Sequence, residues 1–159
     1  MQHEEYNIAF REYSNRVCRF IDKLLKDGVA AKDITQEVFL RLWEKKESVN
    51  FEKVRAWLFT TAYRLSLDYI KRQNRFAGEA HLPERWVEQE SADLKKIVNE
   101  ALDLLTDKQR SIVLLRDYEG YSYDEIGEIL ELSESQVKVY LFRARLKIKE
   151  YIGDLRLVL

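Results

Sequence analysis

The stretch from Tyr123 to Leu141 carries residue types and spacings suited to reading DNA. Ile126 is followed by the small Gly127, then by Ile129 and Leu130. A tight turn at Leu132-Ser133-Glu134 comes next, and the following segment sets Val137 and Leu141 on one apolar side. This is helix-turn-helix spacing. The small residue lets two helices cross closely, while Leu130, Leu132 and Val137 fill the angle between them. The second helix then exposes Ser135, Gln136, Lys138, Val139, Phe142 and Arg143, with Arg145 in its basic tail. Its N-terminal half can enter a major groove and its tail can reach phosphates. An αα-hairpin with a solvated basic face fits the same pattern.

A second group lies between Phe51 and Arg75. Phe51, Trp57, Phe59, Tyr63 and Tyr69 are interleaved with Lys53, Arg55, Arg64, Lys71, Arg72 and Arg75. Aromatic faces with cations suit single-stranded DNA, whose unstacked bases need a π surface and whose backbone needs positive charge. The alternative is a core helix with its aromatics turned inward. On that reading Lys71, Arg72 and Arg75 are simply well placed against the helix dipole.

Catalytic chemistry has little to work with. His3 and His81 are the only histidines and fall in polar or linker-like stretches. There is no Gly-rich phosphate loop, and no Ser or Cys nucleophile stands near a base. Cys18 is the only cysteine, so neither an internal disulfide nor a Cys-rich zinc site can form. No cofactor, metal or small-molecule substrate is expected. No apolar stretch approaches the roughly 20 residues of a membrane span. Met1 to Phe10 lacks the apolar core of a signal peptide, which points to a cytoplasmic protein.

Net charge is −1, but its distribution is uneven. Residues 51–75 hold six basic side chains against two acidic, and 135–149 hold five basic and no acidic. Residues 76–134 hold six basic against fifteen acidic. Two basic blocks flanking an acidic stretch are the footprint of a nucleic-acid binder that the net charge conceals.

The elements that must position these groups read as helices. Five Gly and one Pro in 159 residues disfavour a turn-rich β architecture. Tyr6, Phe10, Tyr13, Val17, Phe20 and Leu24 recur at helical steps over Met1 to Lys26, and Gly28 is placed as a stop. A second helix is expected from Asp33, capped in a box with Gln36, with Ile34, Val38 and Leu42 on its apolar face and Phe39 and Trp43 widening it. A third is expected from about Glu52 to Gln73, with Val54, Leu58, Thr61, Leu65 and Tyr69 facing the core. Asn74 to Asp93, with Gly78 and Pro83, reads as a linker. Beyond it come a helix over Leu94 to Leu105 and three helices opened by boxes at Thr106/Gln109, Ser122/Glu125 and Ser133/Gln136, the first running to near Gly120.

Together these stretches resemble the extracytoplasmic-function sigma factors, the smallest members of the sigma-70 family. The resemblance covers nearly the whole chain. The segment from Asp33 to Trp43 is similar to region 2, with which that family binds core RNA polymerase. The resemblance assigns Asp33, Gln36, Glu37 and Phe39 to that contact; read alone, the segment is an ordinary amphipathic helix. The segment from Trp57 to Arg72 is similar to the helix that handles the −10 element, which implies roles for Arg55, Trp57, Arg64, Lys71, Arg72 and Arg75. Gln109 to Ile126, then Val137 to Arg145, is similar to region 4. It implies −35 recognition by Ser135, Gln136, Lys138, Val139, Phe142, Arg143 and Arg145. Arg64 stands where the family usually has Asn, and Val139-Tyr140 where a small residue and an arginine are common.

The expected fold is all-α: a region 2 domain over 1–75, a linker over 76–93, and a region 4 helix-turn-helix domain over 94–159. The implied partners are the β′ and β subunits of core polymerase, promoter DNA and an anti-sigma factor, often membrane-anchored. A stand-alone helix-turn-helix regulator is the rival reading, and it leaves the first 75 residues without a role. A helical hydrolase or transferase needs a polar cluster that the chain does not supply.

Overall fold

The computed structural model describes residues 1–75 and 93–158, all of whose regular elements are helical. The linker expected over 76–93, with Gly78, His81 and Pro83, lies almost wholly outside the described residues. The chain divides into two units.

The first unit is built from α1 (His3–Leu25), α2 (Gly28–Lys45) and α3 (Val54–Arg75), the last entered through a 3₁₀ turn at Phe51–Lys53. α1 buries Ala9, Val17, Cys18, Phe20, Ile21 and Leu24, whereas Phe10 stays exposed and Tyr6 and Tyr13 are half-buried. The α1–α2 junction differs from the sequence reading. α1 ends at Lys26, which takes the left-handed conformation (φ 57°) and donates its N–H to Asp22 O at 2.7 Å. Gly28 does not stop α1; it opens α2. The cap is Asp27 and not Asp33: Asp27 Oδ1 accepts from Ala30 N at 3.1 Å, so Asp33 and Gln36 lie well inside the helix. An Asp ahead of a run of helix-compatible residues offers the free N–H groups an acceptor more than a turn earlier. The other oxygen, Asp27 Oδ2, accepts from Tyr69 OH of α3 at 2.7 Å, so one buried carboxylate caps α2 and ties it to α3.

The core stripe of α3 is also displaced from expectation. Val54 and Leu58 are buried as expected, but their companions are Phe59, Ala62, Tyr63 and Ser66, while Thr61, Leu65 and Tyr69 are half-buried. Ser66 and Thr35 are buried without cost to hydrogen bonding, because each hydroxyl donates at 2.7 Å to the carbonyl four residues back, on Ala62 and Ala31. Phe20 meets Phe59 edge to face at 5.5 Å between α1 and α3.

The second unit holds α4 (Asp93–Asp103), α5 (Asp107–Val113), α6 (Tyr123–Leu130) and α7 (Glu134–Val158). The three expected capping boxes are all present. Thr106, Ser122 and Ser133 hydroxyls accept from the N–H groups of Gln109, Glu125 and Gln136, and those side chains return the bond. α5 runs into one π turn at Leu114–Tyr118, sealed by Tyr121 N donating to Leu115 O at 3.0 Å, and the chain reverses at Gly120 (φ 73°). Arg110 is buried and acts as a cap: its Nε donates to Leu102 O at 2.9 Å and an Nη to Leu105 O at 3.0 Å, satisfying carbonyls left open at the end of α4. Tyr151 OH donates to Glu100 Oε2 at 2.6 Å and holds the far end of α7 to α4.

Candidate nucleic-acid and polymerase interfaces

The helix-turn-helix closes on backbone, not only on side chains. Glu131 ends α6 in the left-handed conformation (φ 59°), and Leu132 N donates to Gly127 O at 2.9 Å. A Cβ on Gly127 would stand 2.6 Å from Leu132 O, so the small residue makes room for the turn's carbonyl. Ile126, Ile129 and Leu130 of α6 and Val137, Leu141 and Ala144 of α7 are buried, as the spacing predicts.

That packing turns the opposite side of α7 outward. Ser135, Gln136, Lys138, Val139, Phe142, Arg143 and Arg145 are all exposed, Phe142 by 69 %. They divide between two flanks. At ~100° per residue, Lys138, Phe142 and Arg145 lie on the flank toward Tyr123, and Gln136, Val139 and Arg143 on the other. The first flank lines a cleft of about 390 Å³ with Tyr123, Leu141, Leu146 and Lys149. Leu146 and Lys149 were not among the expected DNA contacts, although the steps from 138 to 142, 145 and 149 are helical and carried the signal. Tyr123 sits between cations, with Arg116 at 4.5 Å and Lys138 at 5.5 Å from its ring centroid.

On α3 the candidate groups separate. Trp57, Arg64, Lys71 and Arg75 recur at steps of seven, seven and four, which keeps them on one face; the three cations are exposed and Trp57 is half-buried. Arg72 is exposed beside them, its Nε near Asp68 O at 3.4 Å. Arg55 is half-buried and falls on the opposite side of the helix. The expected aromatic platform is mostly interior. Phe59 and Tyr63 are core residues, and Tyr69 is bonded to Asp27. Burial, then the hydrogen bond and the charge of Asp27, push the Tyr69 hydroxyl up to about 12.

On α2, Asp33 and Gln36 are exposed, and Glu37 is half-buried with its carboxylate 3.0 Å from Arg41 Nε. Phe39 departs from the expected contact set. It is 2 % exposed, edge to face with Phe10 at 5.0 Å and Tyr6 at 6.5 Å, so it supports the surface from beneath. The apolar groups that do reach the surface here are Leu40, 52 % exposed, and Trp43, whose ring lies 3.3 Å under Lys46 Nζ.

Among the described residues no cluster of His, Cys, Asp and Glu is arranged to hold a metal ion, and no helix is long and apolar enough to cross a membrane. Two family models match the chain: sigma-70 region 2 over residues 9–76 and sigma-70 region 4 over residues 95–148. The chain belongs to the sigma-70 family, in its extracytoplasmic-function class. It is 28 % identical to the ECF RNA polymerase sigma factor SigM of Bacillus subtilis (strain 168), over 88 % of this chain and 90 % of that protein. It is 31 % identical to the ECF RNA polymerase sigma factor SigE of Mycolicibacterium smegmatis, over 90 % of this chain and 60 % of that longer relative. The sigma factor RpoE of Bartonella quintana, solved with the anti-sigma factor NepR, shares the fold with a TM-score of 0.81 at 20 % identity, over 94 % of this chain and 98 % of that one. This sigma factor binds core RNA polymerase and directs promoter-specific initiation through −10 and −35 recognition. The match to region 2 gives the first unit the role that a stand-alone regulator would leave unfilled. Sigma factors are non-catalytic initiation subunits.

Proposed function

We propose that the division of labour follows the sequence boundaries: residues 1–75 take core polymerase and the −10 element, 76–93 link, and 94–159 take the −35 element. The reading rests on one observation above all, the outward face of α7 with its exposed cations. Gln136, Val139 and Arg143 read base edges, and Ser135, Lys138, Phe142 and Arg145 hold the adjacent backbone. Arg64, Lys71, Arg72 and Arg75, with Trp57, line the −10 strand, while Arg55 serves the packing of α3. Asp33, Gln36 and Glu37 meet polymerase, with Leu40 and Trp43 as apolar neighbours and Phe39 as their support. The protein works in the cytoplasm without catalysing a reaction of its own.

An anti-sigma factor masks these surfaces when the regulon is silent. Support comes from the exposed apolar and charged faces on both units and from structures of the same fold, the sigma factor RpoE solved with the anti-sigma factor NepR and CnrH solved with the cytosolic domain of CnrY.

The test of the reading helix is Arg143→Ala. Loss of a base contact costs about 1–3 kcal/mol and relaxes preference at one position. Loss of a phosphate contact weakens all sequences alike and lowers the salt slope by about one. Reduced transcription with either signature supports the assignment. Neither, in a folded protein, removes α7 as the reading head.

A further inference from the structure

Two of the cations offered to DNA are already engaged by carboxylates of the same unit. Lys138 Nζ lies 3.2 Å from Glu134 Oε1, one turn earlier on α7. Glu134 also faces Asp124 at the start of α6, and this neighbouring carboxylate raises the Asp124 carboxyl above its ordinary value. Arg145 donates to Asp117 Oδ1 at 2.7 Å, reaching across 28 residues of sequence to the π turn. Both pairs are on the Tyr123 flank, and all four side chains are about half exposed. On the other flank, Arg143 has no ion pair among the described residues.

The asymmetry has an electrostatic consequence. A phosphate that takes Lys138 or Arg145 must displace a carboxylate and then lie beside it. That penalty falls on the sequence-independent part of binding, which comes from cations neutralising phosphates. It spares base readout by Gln136, Val139 and Arg143. Those phosphate contacts are made on matching and non-matching duplexes alike, so the penalty lowers affinity for both. We propose that Asp117 and Glu134 set the affinity of α7 for DNA, as internal competitors that hold down its phosphate contacts on every duplex. The proposal rests on α7 being the −35 reading helix. Were the carboxylates instead to position the two cations for productive contact, their removal would weaken binding, so the sign of the effect decides.

The experiment uses the full chain assembled with core polymerase. It compares a promoter duplex with the same duplex scrambled only in the −35 half. Asp117→Asn and Glu134→Gln are near-isosteric and remove charge without shortening the side chain. Each should tighten binding to the scrambled duplex roughly two- to fivefold, the size expected for an exposed pair. Each should also steepen the salt dependence by about one. Binding to the cognate duplex should tighten by a similar factor, so discrimination is kept while affinity rises on both. Unchanged or weaker binding to the scrambled duplex, with helical content intact, overturns the competitor role while leaving the reading helix in place. If the unsubstituted protein does not distinguish the two duplexes, the reading helix fails and the proposal fails with it.

Discussion

Gly127 and Tyr69 show how much single residues decide here. At Gly127 the space for a Cβ is occupied by the carbonyl of Leu132, a backbone atom that cannot rotate aside. Gly127→Ala should therefore destabilise the second unit by about 1–3 kcal/mol, the cost of forcing volume into a packed site, despite Ala's better helix propensity. Thermal unfolding of the substituted chain measures this; an unchanged or raised midpoint would show that the turn gives way freely. Tyr69 gives a pH signature. Its hydroxyl is raised from 10.0 to about 12 in the folded chain, so the folded state holds the proton more tightly than the unfolded state. The stability this contributes is intact below pH 10 and is lost as pH rises toward about 12. Unfolding midpoints followed through that window should fall less steeply for Tyr69→Phe than for the unsubstituted protein. Parallel curves would mean that the bond to Asp27 is not formed in solution.

At the scale of elements, the second unit was legible and the first only in part. The starts of α5, α6 and α7 each carry a hydroxyl cap and an answering Glu or Gln three residues on, a local signal that needs no tertiary context. The α1–α2 junction misled because Gly28 is a plausible stop and Asp33 a plausible cap. The choice of Asp27 is settled partly by Tyr69, which is 42 residues away in sequence. The α3 stripe was misplaced because aromatics and apolar residues occur on several faces, and packing against α1 and α2 selects among them. The same ambiguity hid Phe39 and Tyr63 in the core and left Trp43 on the surface. The π turn, which brings Asp117 to Arg145, has no sequence signature of the kind that caps have. The proposed DNA face of α3 makes a prediction. Arg64→Ala, Lys71→Ala and Arg75→Ala should each slow open-complex formation, while Arg55→Ala should act chiefly on stability. Permanganate footprinting of the melted −10 segment, read beside the unfolding midpoint, separates the two. Equal melting defects from Arg55→Ala and Lys71→Ala, with stability unchanged, would return Arg55 to the DNA face.

For the molecule as a whole, the uneven charge and the two family matches describe a subunit whose surfaces are useful only when polymerase and DNA cover them. Glu37 lies on the proposed polymerase face. Glu37→Lys reverses charge there, and a like-charge contact at an interface costs several kcal/mol. The central claim is that this chain supplies promoter choice to core polymerase. The most direct measurement is reconstituted run-off transcription on linear genomic fragments, with transcript starts mapped. Core polymerase alone should give no discrete starts. Adding the chain should give discrete starts that share upstream −10 and −35 sequences, and Glu37→Lys should abolish them while the protein stays folded. Undiminished starts with Glu37→Lys would contradict the polymerase face. The absence of any discrete start with the folded, unsubstituted chain would contradict the claim itself.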